Sequence, residues 1–208
     1  MDTVTRVKNV CFTPATEWPV IAQETIPTST LITEYVLPLA AIGAVAGLIG
    51  GSLVGYSLPF IGSYRVPFTT GIVTACFTVV MAVVGVFLIS LIINALAPTF
   101  GAEQNSAQAL KVAIYSYTPA WIAGVLHVLP MLSTVVVLIA GLYGLYLLYL
   151  GLPPLMKCPQ EKAVGYTAVI IVCAIVISIV MGAVGGMIGG GDLMRTATVR
   201  ATDIAVRP

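Results

Sequence analysis

The residues of this chain best suited to nucleophilic or metal chemistry are one imidazole, His127, and four thiols, Cys11, Cys76, Cys158 and Cys173. No two of the cysteines form a C-x-x-C pair, and His127 is close to none of them in sequence, so no zinc site is expected. A nucleophile needs a base beside it and a group to orient that base. The only imidazole falls at the end of an apolar stretch beside Pro130, where it reads as an interfacial histidine. Cys76 and Cys173 read as small buried apolar residues. A carboxylate deep in an apolar run would mark an ion or proton path, but Glu34 sits at the edge of one, and Glu103 and Glu161 lie in loops. Asn94, near the end of another, suits a cap or a bridge between helices. No phosphate-cradling glycine loop, dinucleotide fingerprint or H-E-x-x-H motif occurs. Catalytic, cofactor-binding and metal residues are therefore expected to be none, and no cofactor is implied.

Two polar groupings remain. Tyr143, Tyr146 and Tyr149 recur at spacing three; they read as tyrosines packed between helices that find hydrogen-bond partners, with a substrate path as the alternative. The segment Tyr115-Ser116-Tyr117-Thr118-Pro119 is the best candidate for a site. A proline inside a helix frees a backbone carbonyl and kinks or breaks the helix, and discontinuous helices build many transporter binding sites. Tyr115, Tyr117, Thr118 and Pro119 are thus a candidate helix break, with a simple kink as the plainer reading, since no internal repeat accompanies it.

The elements that must carry these residues are set by composition. The chain is 59% hydrophobic and only 8% charged, against roughly 25% charged in soluble domains. Charge is absent between Glu34 and Arg65, between Arg65 and Glu103, from Lys111 to Lys157 apart from His127, and from Lys162 to Asp192. Each gap exceeds the roughly 20 residues that cross a bilayer, and the third holds two crossings. The pattern predicts an all-α, polytopic membrane bundle of about five helices, over roughly 32–55, 70–94, 108–129, 133–152 and 158–188. A polar tail, 189–208, follows. The net charge of +1 implies no nucleic-acid partner, and no cleavable signal peptide is expected, because the first 30 residues are too charged.

Residues 1–31 read as a leader of two short helices. Val4, Val7, Val10 and Cys11 share one helical face, and Thr13-Pro14 reads as the start of a second helix. Trp18, Ile21 and Ala22 are apolar there, while Glu17 and Glu24 are not. Such helices can lie flat at the headgroup level, with Trp18 as the interface anchor; a loosely ordered tail is the alternative. With five crossings, Arg6, Lys8, Lys111, Lys157 and Lys162 fall on the leader's side, and Arg65 with the tail's Arg195, Arg200 and Arg207 on the other, five against four, or five against one without the tail. Positive charge then places the leader in the cytoplasm.

Glycine spacing is the clearest internal pattern. Gly43, Gly47, Gly51 and Gly55 repeat every fourth residue in the first span, and Gly182, Gly186 and Gly190 in the fifth. Such rows let another backbone approach closely. Both rows lie in the half away from the leader, so the first and fifth spans are expected to pack there. A homo-oligomer face and chance placement are the alternatives.

Four stretches taken together, RVKNVCFTPATEWPVIAQE at 6–24, YTPAWIAGVLHVLP at 117–130, GLYGLYLLYLGLP at 141–153 and KCPQEKAVGY at 157–166, resemble the Yip domain family of Ypt/Rab-interacting-protein-like membrane proteins, and in particular its short bacterial members. The resemblance covers nearly the whole chain. It implies a five-span bundle in a bacterial inner (cytoplasmic) membrane, a cytoplasmic N-terminus and no catalytic activity. Eukaryotic relatives are tied to vesicle traffic and small GTPases, but this chain lacks their long leader and its Asp-Leu-Tyr-Gly-Pro motif, so a GTPase partner is not carried over. The expected function is a non-enzymatic protein that organises the lipid bilayer, itself or other membrane proteins. The alternative is a small transporter or channel using the Tyr115–Pro119 break.

Overall fold

Among the described residues, four helices are long and apolar enough to cross a bilayer: Thr28–Val54, Phe68–Phe100, Val135–Met156 and Gln160–Gly185. The computed structural model describes residues 2–58 and 62–206, and gives side-chain surroundings for these except at 56–64, 130–132, 134 and 186–206. The second span shows why such helices form. In α5, Phe68–Leu96, 29 residues run without a charge or a proline, so every backbone polar group is satisfied along the helix, as a lipid environment requires.

The leader folds as α1, Thr3–Phe12, and α2, Pro14–Gln23. Asp2 caps α1 by accepting from Val4 N–H at 3.2 Å. Pro14 opens α2 as expected, but Thr13 turns its hydroxyl back to the Asn9 carbonyl of α1 at 3.1 Å.

The first span is wound unevenly: α3, Thr28–Leu31, a π turn Ile32–Val36, α4, Leu37–Ile49, and a second π turn Gly50–Val54. Pro38 accounts for the first irregularity, because it has no N–H to give the Glu34 carbonyl four residues back. The Thr3 hydroxyl of α1 donates to that carbonyl at 3.0 Å. At the far end Gly55 takes φ 85°, a conformation open to glycine, and leads into a hairpin. Its strands, β1 (Tyr56–Leu58) and β2 (Gly62–Tyr64), pair antiparallel with Tyr56 opposite Tyr64. Phe68 is exposed at the start of α5.

The third crossing is different in kind. α6, Ser106–Ala123, is capped by Asn105 and tightens into a 3₁₀ turn over Gly124–Val128. It lies parallel to the first span: Tyr35 meets Thr118, Gly43 meets Gly124, and Gly50 meets His127. It packs against α4, α5 and α7, and every residue from Ala109 to Ser116 is buried. Protein surrounds it, so it can carry Gln108, Lys111, Ser116 and Thr118, which is why it is not among the four apolar helices. Five passes through the bundle are therefore made by four lipid-compatible helices and one sheltered helix.

α7, Pro130–Met156, returns antiparallel to α6. It runs through Pro153-Pro154, where it was expected to stop, and ends at Lys157 with φ 50°. α8, Gln160–Val206, is 47 residues long, about 70 Å at 1.5 Å per residue. No proline interrupts it, so the helix continues into the polar tail expected after 188. The buried cluster concentrates at the leader end of the bundle, around Trp18, Tyr35, Ile93, Tyr115, Leu152, Met156 and Tyr166.

Candidate functional site

The leader is clamped into the bundle by a buried charge cluster. One turn of α1 presents Arg6 and Asn9 to α2 and to the chain just after it. The Arg6 guanidinium donates to Glu17 Oε1 at 2.5 Å and to Glu24 Oε1, while Asn9 Nδ2 donates to Glu17 Oε2 at 3.1 Å. Arg6 and Glu17 keep only 8% and 11% of their side-chain surface. Burial opposes the Arg6 charge, but the hydrogen bond to Glu24 and the field of both carboxylates outweigh it and hold the guanidinium above its ordinary pKa.

The C-terminal end of α2 leaves carbonyls without helical partners. α6 supplies the donors: Lys111 Nζ reaches the Ile21 carbonyl at 3.1 Å and the Glu24 carbonyl at 2.5 Å, and Gln108 Nε2 reaches the Ala22 carbonyl at 2.9 Å. A cation at a helix C-terminus also complements the helix dipole. Two cations and two carboxylates thus meet at one point, with nearly all their polar atoms directed at protein partners.

Tyr115 is the hub beneath this cluster. Arg6 lies over its ring at 5.8 Å, a cation–π geometry. Trp18 and Tyr35 meet it edge-on, with centroids 6.3 Å and 5.0 Å away. The Tyr35 hydroxyl pairs with Thr118 Oγ1 at 2.9 Å. The candidate break is therefore no break: α6 continues through Pro119 to Ala123, and the change of winding comes at Gly124. Tyr115, Thr118 and Pro119 are enclosed, and Tyr117 stacks on Trp121 with centroids 6.0 Å apart.

Trp18 is not at a lipid interface. It is 1% exposed and lies on the bare backbone of Gly151 in α7. The same apolar stripe that would face headgroups packs against the bundle instead, α2 on α7 and α1 on α6. The Tyr143 hydroxyl holds the end of α1 by donating to the Cys11 carbonyl at 2.7 Å. Tyr146 pairs with the Tyr143 ring at 5.8 Å, and Tyr149 flanks a groove beside Trp18.

The glycine rows part company. Gly43 backs onto Gly124, where an added Cβ would come 3.6 Å from the Gly124 Cα, and Gly47 faces His127. Gly50, outside the four-residue row, makes the closest approach: a Cβ there would fall 1.9 Å from the His127 carbonyl oxygen. Gly51 is buried and accepts from Val66 N–H, and Gly55 ends the span. In the fifth span, a Cβ at Gly182 would meet nothing within 4 Å, and the surroundings of Gly186 and Gly190 lie outside the described residues. The first row therefore faces the end of the third crossing, not Gly182. The reason is angular: a step of four residues drifts around a 3.6-residue helix, whereas 43, 47 and 50 stay on one face.

Among the described residues, no group of three or more His, Cys, Asp or Glu residues could hold a metal ion. The residues that sequence reasoning missed are Tyr35, Gly50, Gly124 and Gly151, and the pairing of Arg6 with Glu17 and Glu24. Only the last left a signal: four charges, Lys8 among them, within 19 residues of a chain this poor in charge.

A family model described as the Yip1 domain matches residues 8–182, from α1 into α8. No curated protein and no solved structure matches the chain.

Proposed function

The chain belongs to the Yip1 domain family of membrane proteins, and from that premise we propose that it is a non-enzymatic organiser of the bilayer and of membrane-protein partners. The observation that carries this reading is how the polar residues are used. The charged and aromatic groups that in an enzyme or transporter would line an open cavity are here directed at one another, locking the leader to α6 and α7. Outward the locked leader presents Val4, Phe12 and Val20, which are 77%, 79% and 49% exposed, among exposed polar residues that include Asp2, Thr5, Lys8, Thr16 and Gln23. A rigid cap whose outer surface mixes large apolar side chains with polar and charged ones, at the end of a membrane bundle, suits contact with headgroups or with another membrane protein.

The leader end is proposed to face the cytoplasm. Lys111 binds the leader, Lys157 pairs with Glu103 at 2.7 Å, and Lys162 lies beside Gly101, so Arg6, Lys8, Lys111, Lys157 and Lys162 gather at that end. Arg65 follows the hairpin at the other. This asymmetry supports a cytoplasmic leader, and the membrane is proposed to be a bacterial inner membrane.

The test is reconstitution of the full chain into liposomes at rising protein density. An organiser changes vesicle size or shape, or retains membrane proteins co-reconstituted from native membranes, and Arg6→Met, which loosens the cap, weakens the effect while entrapped solutes stay inside. Protein-dependent solute flux would overturn the reading, as would unchanged vesicles together with no retained protein.

A further inference from the structure

We propose that the cleft between α7 and α8 seats one acyl chain of a membrane phospholipid. The cleft has a volume of about 450 Å³, within the roughly 300–1,000 Å³ typical of ligand pockets. Its walls include Leu142 and Leu145 of α7 and Ile171 and Ile175 of α8, and its floor is Ser116 and Tyr117 of α6. Leu142 and Ile175 are 60% and 55% exposed, so the cleft opens sideways, toward whatever surrounds the bundle. Its lining residues on α7 and α8 fall in the middle of the apolar spans Val135–Met156 and Gln160–Gly185. At that depth the surrounding medium is hydrocarbon.

Two glycines make the space. A Cβ added at Gly141 would meet nothing within 4 Å, so α7 sends no side chain into the gap there. One turn on, a Cβ at Gly144 would come 2.6 Å from the Ser116 carbonyl oxygen, so α7 is held tightly against the floor. α7 therefore cannot fill the gap by sinking closer to α6. Left empty, its apolar walls would lose dispersion contacts on one side. A transmembrane helix, about 10–12 Å across with its side chains, is too wide to enter without forcing α7 and α8 apart. A single extended acyl chain enters from the side and needs no hydrogen-bond partner. The inference does not rest on the leader or on the organising role.

The experiment is photo-crosslinking in liposomes made with a phosphatidylcholine that carries a diazirine midway along one acyl chain, with adducts mapped by peptide mass spectrometry. Adducts are expected on the segment Ala113–Tyr117, which contributes Ala113, Ser116 and Tyr117 to this cleft; Ala120 is left out of the readout because it also borders a groove between α4, α5 and α6. Gly141→Phe should fill the space and abolish them. Ile139→Phe adds the same ring on an exposed part of α7 and should leave them in place. If Gly141→Phe does not fold, Gly141→Leu carries the same expectation. No adduct on Ala113–Tyr117 in the unmodified chain, or adducts there that persist in the filled variant, would each overturn the proposal.

Discussion

Trp18 rests on Gly151 so closely that a single methyl group at 151 would come within 2.9 Å of the indole ring. This contact joins the leader to α7 and closes the floor of the charge clamp. Gly151→Leu should therefore lift α2 from α7. Overpacking of this kind costs about 1–3 kcal/mol, and thermal unfolding in detergent should register it. Trypsin cleavage after Arg6 or Lys8 should accelerate as the leader loosens. Gly141→Ala, where a Cβ meets nothing within 4 Å, should leave cleavage unchanged and hold or slightly raise the unfolding temperature. Equal behaviour of the two variants would mean that the Trp18 contact carries no weight.

Arg6 is the shared partner of two carboxylates, so its removal costs more than one ion pair. Arg6→Met leaves Glu17 buried with only Asn9 and strips Glu24 of its cation. Breaking a buried pair from one side typically costs about 3–5 kcal/mol. The triple variant Arg6→Met, Glu17→Gln, Glu24→Gln removes the unpaired charges and should recover part of that loss. Additive losses across the set, measured by thermal or denaturant unfolding, would contradict a coupled cluster.

Gly50 and Gly182 provide a matched comparison. A Cβ at Gly50 would collide with the His127 carbonyl, whereas one at Gly182 meets open space. Gly50→Ala should lower the unfolding temperature clearly, and Gly182→Ala should hold or slightly raise it, because alanine is better than glycine in a helix by roughly 0.8–1.0 kcal/mol. Equal sensitivity of the two sites would restore the expectation that the rows of the first and fifth spans work together.

The contrast between these glycines shows what the sequence makes legible. Charge-free stretches around 20 residues long announce membrane helices directly, because lipid penalises every unsatisfied polar group. The gathering of Arg6, Lys8, Lys111, Lys157 and Lys162 at one end follows from counting crossings. The leader's destination was not legible, because Val10, Trp18 and Ile21 form the same apolar stripe whether it meets headgroups or α6 and α7. Pro119 misled for a related reason. A proline weakens an isolated helix, but α6 is held on all sides, so packing keeps it helical through the site. Gly50 escaped notice because a four-residue period catches the eye while a 3.6-residue period sets the face.

The arrangement of the ends gives the last prediction. Lys111 is tied to the leader, and Glu103 bonds both the Lys157 side chain and, through its N–H, the Met156 carbonyl at 2.8 Å. The leader and the 101–111 and 156–162 connections therefore share one end, and they cannot be on opposite sides of a membrane. Arg65 lies beyond the hairpin at the end of the first span, where Val66 N–H returns to the Gly51 carbonyl at 2.9 Å. With Cys11, Cys76, Cys158 and Cys173 replaced by alanine, single cysteines can be introduced as Thr3→Cys, Arg65→Cys and Glu161→Cys. An impermeant thiol reagent applied to intact cells should label only Arg65→Cys, and permeabilisation should expose all three. Labelling of Thr3→Cys and Glu161→Cys together, with Arg65→Cys protected, would keep the fold but invert it in the membrane. Labelling of Glu161→Cys without Thr3→Cys would contradict the shared end itself, since no single insertion places Lys111 against the leader and residue 161 across the bilayer from it.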